Sequence, residues 1–140
     1  MPRILILNGP NLNLLGKRQP ELYGSRSFED FFKELKKDFP RVRLDYYQSN
    51  HEGDLIDKLQ EADGKYDAVI FNPAAYTHTS IALRDTVVAI DVPVAEVHIT
   101  DIYKREKFRH ISYLADVVAF RITGRGLEGY RQAVERFLKK

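Results

Sequence analysis

Short apolar runs alternate along this chain with stretches whose apolar residues recur every three or four positions. The first pattern reads as buried strands and the second as amphipathic helices. Ile4–Leu7 is the first strand. Phe28, Phe31, Phe32, Leu35 and Phe39 then repeat at helical spacing. Ser27 is the expected N-cap of that helix, with Glu29 and Asp30 in its first turn and Pro40 as its stop. Val42–Gln48 alternates well enough for a second strand. A helix starting at Ser49, Asn50 or His51 carries Leu55, Ile56 and Leu59 and ends at Gly64. Ala68–Phe71 is apolar throughout, as a strand covered on both faces should be. Asn72 and Pro73 terminate it. Thr79 or Ser80 caps a helix through about Ala89. Val92–Val97 is the fourth strand. His98–Lys107 reads as a loop, with a short helix near Phe108–Leu114. Val117–Ile122 is the fifth strand, and a last helix begins among Gly124, Gly126 and Gly129 and ends near Leu138.

Five strands alternating with helices predict an α/β fold with a parallel sheet covered on both faces. Crossovers of this kind are right-handed, which makes a flavodoxin-like, doubly wound sheet the leading architecture. Ligands of such sheets bind beyond the carboxyl ends of the strands. Polar residues collect there: Asn8 after the first strand; Asn72, Tyr76 and His78 after the third; Glu96, His98, Thr100 and Asp101 at the fourth.

Composition narrows the picture. The 140 residues suit one domain, and 44% hydrophobic content supplies a core. With 22 basic and 20 acidic residues the net charge is +2, so no strong field for nucleic acid or a membrane surface is implied. Cysteine is absent, which excludes disulfides and thiol catalysis and suits a reducing cytoplasm. The N-terminal MPRILIL has neither the long apolar region nor the small-residue cleavage site of a signal peptide. No run reaches the roughly 18 apolar residues of a membrane span.

The stretch Ile4–Gly24 organises the candidate chemistry. Its strand runs into a long loop with Asn11, Asn13, Lys17, Arg18 and Tyr23. Loops of that length in small domains are lids, binding loops or disordered. A tyrosine phenolate is a competent base, and a nearby arginine favours the charged form. Lowering a phenol from about 10 to about 7.5 requires roughly 3.4 kcal/mol. The other reading of Arg18 and Tyr23 is an ordinary surface loop. Glu96 and His98 lie two residues apart on one strand and therefore on one face. The carboxylate can orient the imidazole for general acid work; otherwise they are a surface pair. His78 is either a ligand donor or a loop stabiliser. His51 reads as decoration of a helix start, and His110 as a loop contact.

Other chemistries are poorly served. The histidines are scattered without HxH or HxxxH spacing, so no metal site is expected. Ser80 lacks a GxSxG elbow. GRGLEG lacks the lysine of a P-loop and follows the last strand, so it reads as a helix start. Lys17 has no apolar burial to make it a Schiff-base nucleophile.

Four segments, NGPNLNLLGKRQPELYG, FNPAAYTHTSIALRD, EVHITDIYKREKFR and GRGLEGY, closely resemble the type II 3-dehydroquinate dehydratases over nearly the whole chain. The resemblance implies a flavodoxin-like fold, reversible dehydration of 3-dehydroquinate to 3-dehydroshikimate in the cytoplasm, no cofactor, and a homododecamer of four trimers. Tyr23 would then remove a proton beside the ketone, with Arg18 keeping it ionised and the Arg18–Tyr23 loop, about residues 16–24, closing as a lid. Asn11 and an ordered water would stabilise the enolate. His98, oriented by Glu96, would protonate the departing hydroxyl. Asn72 and the backbone N–H groups of Ile99 and Thr100 would receive the substrate carboxylate. His78, Asp85 and Arg109 would hold the ring hydroxyls, and Arg105 would approach from a neighbouring part of the assembly.

The chain departs from the family pattern at a few positions. Ala74 stands where glycine is usual, Asp101 for asparagine, Tyr103 and Ile111 for histidine, and Thr123 for cysteine. These flank the site without replacing a catalytic side chain. The same reaction run in quinate breakdown fits the sequence equally. A non-catalytic flavodoxin-like binding module is the alternative from another class, although asparagines replace the acidic cluster a phospho-receiver needs.

Overall fold

The structure is a computed structural model and describes residues 1–17 and 26–139. Five strands, β1 (Arg3–Asn8), β2 (Arg43–Gln48), β3 (Ala68–Asn72), β4 (Val94–His98) and β5 (Phe120–Thr123), form one sheet in the order β2-β1-β3-β4-β5. Every pairing is parallel. This is the flavodoxin-like order, with the chain reversing its direction across the sheet between β1 and β3.

Each helix buries an apolar stripe against one face. Helices α1 (Phe28–Asp38) and α4 (Glu128–Leu138) pack Phe28, Phe31, Leu35, Tyr130 and Val134 onto Ile4, Ile6, Ile70 and Val97. Helices α2 (Glu52–Ala62) and α3 (Ile81–Ala89) pack Leu55, Leu59 and Leu83 onto Leu5, Leu7, Val69 and Phe71. The central strands are therefore apolar on both faces, as their unbroken runs predicted.

Local chemistry sets the boundaries. Ser27 Oγ accepts from the Asp30 N–H at 3.1 Å and starts α1. Ser80, rather than Thr79, caps α3 through the Leu83 N–H at 2.9 Å. His51 occupies the cap position of α2 without a side-chain cap bond. Ser49 instead accepts from the His51 N–H at 3.0 Å and donates to Asp54 at 2.8 Å. The expected helix over Phe108–Leu114 does not form. A short 3-10 turn covers Lys107–Arg109. Beyond it, the Tyr113 N–H donates to the Thr77 carbonyl at 2.8 Å and the Leu114 N–H to Ser112 Oγ at 3.2 Å. Those amides serve tertiary and side-chain acceptors instead of a helix ladder.

Candidate active site

The carboxyl ends of β1, β3 and β4 open into a cleft of about 190 Å³. Its floor is held by two buried asparagines. Asn8 and Asn72 are register partners at the ends of β1 and β3. The Tyr130 hydroxyl, fully buried on α4, donates to Asn8 Oδ1 at 2.8 Å and accepts from Asn72 Nδ2 at 2.9 Å. Asn72 Oδ1 accepts from the Ala74 N–H at 3.0 Å. The Asn72 carboxamide is thus fixed before any ligand arrives.

Two turns shape the rim. Gly9 approaches β3 so closely that its N–H meets the Asn72 carbonyl at 2.7 Å. Next to it, Asn11 adopts φ 70° and starts a 3-10 turn over Leu12–Leu14. Asparagine tolerates that left-handed backbone better than most residues. The Asn11 N–H donates to Asn50 Oδ1 at 3.0 Å, and Gln48 Nε2 donates to the Gly9 carbonyl at 3.1 Å. Beyond β3, Ala74 has φ 53° and opens a second 3-10 turn, Ala74–His78. Ala74 thus occupies a conformation that favours glycine.

His78 lines the cleft, and its Nδ1–H donates to the Ile111 carbonyl at 2.7 Å. This leaves Nε2 as its free acceptor. Burial pushes the imidazole below its usual range; the Ile111 carbonyl opposes that, and His98 and Arg109 reinforce it.

Behind the cleft lies the most heavily bonded carboxylate in the molecule's interior. Glu96 on β4 is fully buried. Its Oε2 meets His98 Nε2 at 2.6 Å and accepts from Thr77 Oγ1 at 2.5 Å. Ser112 Oγ lies 2.9–3.0 Å from both carboxylate oxygens. Arg121 Nε donates to Oε1 at 3.0 Å. Burial alone would push this carboxyl up. The bonds from His98 and Thr77 and the charges of His98 and Arg121 outweigh it and hold the group down at about 2. Glu96 is therefore an anion at neutral pH, and His98 Nε2 is the donor in their bond. The ring's second nitrogen, Nδ1, remains for proton exchange with a ligand. His98 itself lines the cleft and is 5% exposed.

The structure brings Asn11, Asn72, His78, His98, Ile99, Thr100 and Arg109 together around this cleft, with Glu96 one layer behind. It places Asp85 elsewhere: that residue is on the exposed face of α3 and does not line the cleft of its own chain. Arg105, expected to approach from a neighbouring part of the assembly, lines the cleft of its own chain, with Nη1 3.5 Å from Thr100 Oγ1. Arg18, Tyr23 and most of the expected lid lie outside the described residues. Thr77, Ser112, Arg121 and Tyr130 were not singled out by sequence. Arg121 is found only through the register of the folded sheet, which pairs it with Glu96. Among the described residues, no group of three or more histidine or acidic side chains is placed to hold a metal ion.

Comparison with known proteins gives one answer. A 3-dehydroquinate dehydratase of Bacillus pumilus is 54% identical over 96% of this chain and 92% of its own length. A protein named catabolic 3-dehydroquinase 2, from Neosartorya fischeri, is 51% identical over 96% of this chain and 91% of its own. Among solved structures, the type II dehydroquinase of Butyrivibrio crossotus superposes with a TM-score of 0.92 at 42% identity, covering 98% of this chain and 97% of that one. That of Propionibacterium acnes gives 0.95 at 34%, covering 100% and 98%. Residues 2–138 match the family described as dehydroquinase class II, and the chain belongs to it.

Proposed function

We propose that this chain is a lyase that dehydrates 3-dehydroquinate to 3-dehydroshikimate, reversibly and through an enolate, as one catalytic domain. The observation that carries the reading is the Glu96–His98 pair at 2.6 Å, with His98 lining a donor-rich cleft and Glu96 buried behind it. Losing a hydroxyl needs an acid, and removing a proton beside a ketone needs a base and preorganised donors. Tyr23 takes the proton from the carbon next to the ketone, and Arg18 holds its phenolate ionised. The electron pair moves into an enolate, stabilised through Asn11 and an ordered water. The enolate collapses to the enone, the carbon–oxygen bond to the leaving hydroxyl breaks, and His98 supplies the proton that makes it water.

Asn72 and the Ile99 and Thr100 N–H groups receive the substrate carboxylate, while His78 and Arg109 hold ring hydroxyls. Arg105 joins them from the same chain. Asp85, which does not line the cleft of its own chain, holds a ring hydroxyl only across a subunit contact, in a homododecamer acting in the cytoplasm. The lid, spanning about residues 16–24, keeps water from the enolate. The reaction serves the shikimate pathway. Relatives named for the catabolic role at 51% identity support the same chemistry in quinate breakdown.

The test is direct. Purified protein, 3-dehydroquinate and excess chelator are mixed, and ultraviolet absorbance reports the conjugated enone. Absorbance should rise steadily and stop rising when Tyr23→Phe replaces the parent. A flat trace from folded parent protein would mean a scaffold that does not catalyse, and a binding role would then be the one to pursue.

A further inference from the structure

Glu96 is an anion with no solvent access, held in a carboxylate-to-imidazole bond to His98. A buried anion left without a positive partner is costly. This creates a difficulty for the chemistry proposed above. When His98 gives its proton away, the imidazole becomes neutral, and Glu96 would lose the charge that compensates it. The hydroxyls of Thr77 and Ser112 donate hydrogen bonds but carry no charge.

Arg121 supplies what they cannot. The β4–β5 register pairs Glu96 with Arg121 and Val97 with Ile122, so Arg121 projects on the same sheet face as Glu96. Its Nε donates to Glu96 Oε1 at 3.0 Å, on the oxygen opposite the one that meets His98. Its Nη1 reaches the Tyr103 hydroxyl at 3.3 Å, and its Nη2 is buried without a partner among the described residues. The side chain is 20% exposed, so the ion pair is shielded from solvent on the carboxylate side. Arginine stays protonated under all working conditions. We infer that Arg121 is a positioning residue for the elimination: its guanidinium is the standing counter-ion of Glu96, which lets His98 release and regain its proton without stranding a buried charge.

Other titratable and charged groups share the cleft with this imidazole and must be held constant. Glu96 bonds it from β4, and His78, Arg105 and Arg109 line the same cleft. Tyr103 touches Arg121 rather than His98. None of these replaces Arg121 at Oε1 of Glu96.

This inference rests on His98 acting as the acid. The experiment is the pH dependence of kcat and KM for 3-dehydroquinate in Arg121→Met, Arg121→Gln and Arg121→Lys, with His98→Gln alongside. Removing the positive charge leaves Glu96 acting on His98 unopposed, so the protonated ring is held more tightly and gives its proton less readily. In Arg121→Met, kcat should fall about tenfold with KM within about twofold, and the alkaline limb should move up by roughly one pH unit. Arg121→Gln, which keeps a hydrogen-bond donor without charge, should move the limb equally and carries the test if the Met variant does not fold. Arg121→Lys should return the limb to the parent position. Superimposable limbs in the neutral variants and the parent would overturn the inference, as would a loss confined to KM. His98→Gln separates the two levels. If it keeps parental turnover, the assignment of His98 as acid fails and the inference falls with it. If it loses turnover while the neutral Arg121 variants keep the parental limb, Arg121 alone is excluded.

Discussion

A hydrogen atom is all that Gly9 has room for. A Cβ there would lie 2.7 Å from the Pro73 carbonyl oxygen and 2.9 Å from its carbon, both rigid backbone at the end of β3. Gly9→Ala should cost about 1–3 kcal/mol, read as a lower urea midpoint at unchanged slope. It should also lower turnover, because the strain falls on the turn that carries Asn72. His78 illustrates a different economy. Its Nδ1–H is committed to the Ile111 carbonyl, so Nε2 is what a ligand can meet. His78→Ala should raise KM about tenfold and change kcat much less, the loss of one ligand hydrogen bond. A fall in kcat at constant KM would remove it from the binding role. At this scale the sequence was legible wherever period alone decides geometry. Glu96 and His98 had to share a strand face, and they meet. Asp85 and Arg105 were drawn from resemblance to a family, Arg105 as a visitor from a neighbouring part of the assembly, and a single chain has the first outside its cleft and the second inside.

At the scale of elements, the caps and stops read from sequence match because they are local. Ser27 and Ser80 each bond an amide three residues on. Ser80 also donates to the Glu52 carboxylate, tying the start of α3 to that of α2. Ser80→Ala should therefore cost about 1–2 kcal/mol, at the upper end for a cap, seen as a drop in Tm. A change under about 0.5 kcal/mol would mean that the link to Glu52 contributes nothing. The segment after Lys107 was misread for the converse reason. Its apolar spacing suits a helix, but its amides and Ser112 are claimed by Thr77 and Glu96, far away in sequence. No window of neighbouring residues contains that competition. The strand β5 likewise starts at Phe120 rather than Val117, because the Val117 and Val118 N–H groups both turn back to the Leu114 carbonyl.

Across the whole molecule, Glu96 couples stability to acidity. Its carboxyl is held down at about 2 in the folded chain against an ordinary 4.5. A depressed carboxyl stabilises the fold fully above the unfolded value and loses that contribution as pH falls through the folded one. Unfolding free energy should thus decline between about pH 4.5 and pH 2, by a few kcal/mol from this group. In Glu96→Gln that decline should be shallower, and the variant should be less stable at neutral pH. Equal slopes in both proteins would place the acid sensitivity elsewhere. The sheet order was legible because alternation of strand and helix limits the topologies. The tie that Tyr130 makes from the last helix to Asn8 and Asn72 was not, since it spans 122 and 58 residues. That tie has a consequence for how the protein comes into being. As the chain leaves the ribosome, β1 and β3 emerge long before the tyrosine that fastens their ends. Until α4 emerges and docks, the two asparagines lack the partner that fixes them. A nascent chain stalled anywhere upstream of residue 130 should then be catalytically silent, whatever sheet it has assembled, and activity should appear only once α4 has docked.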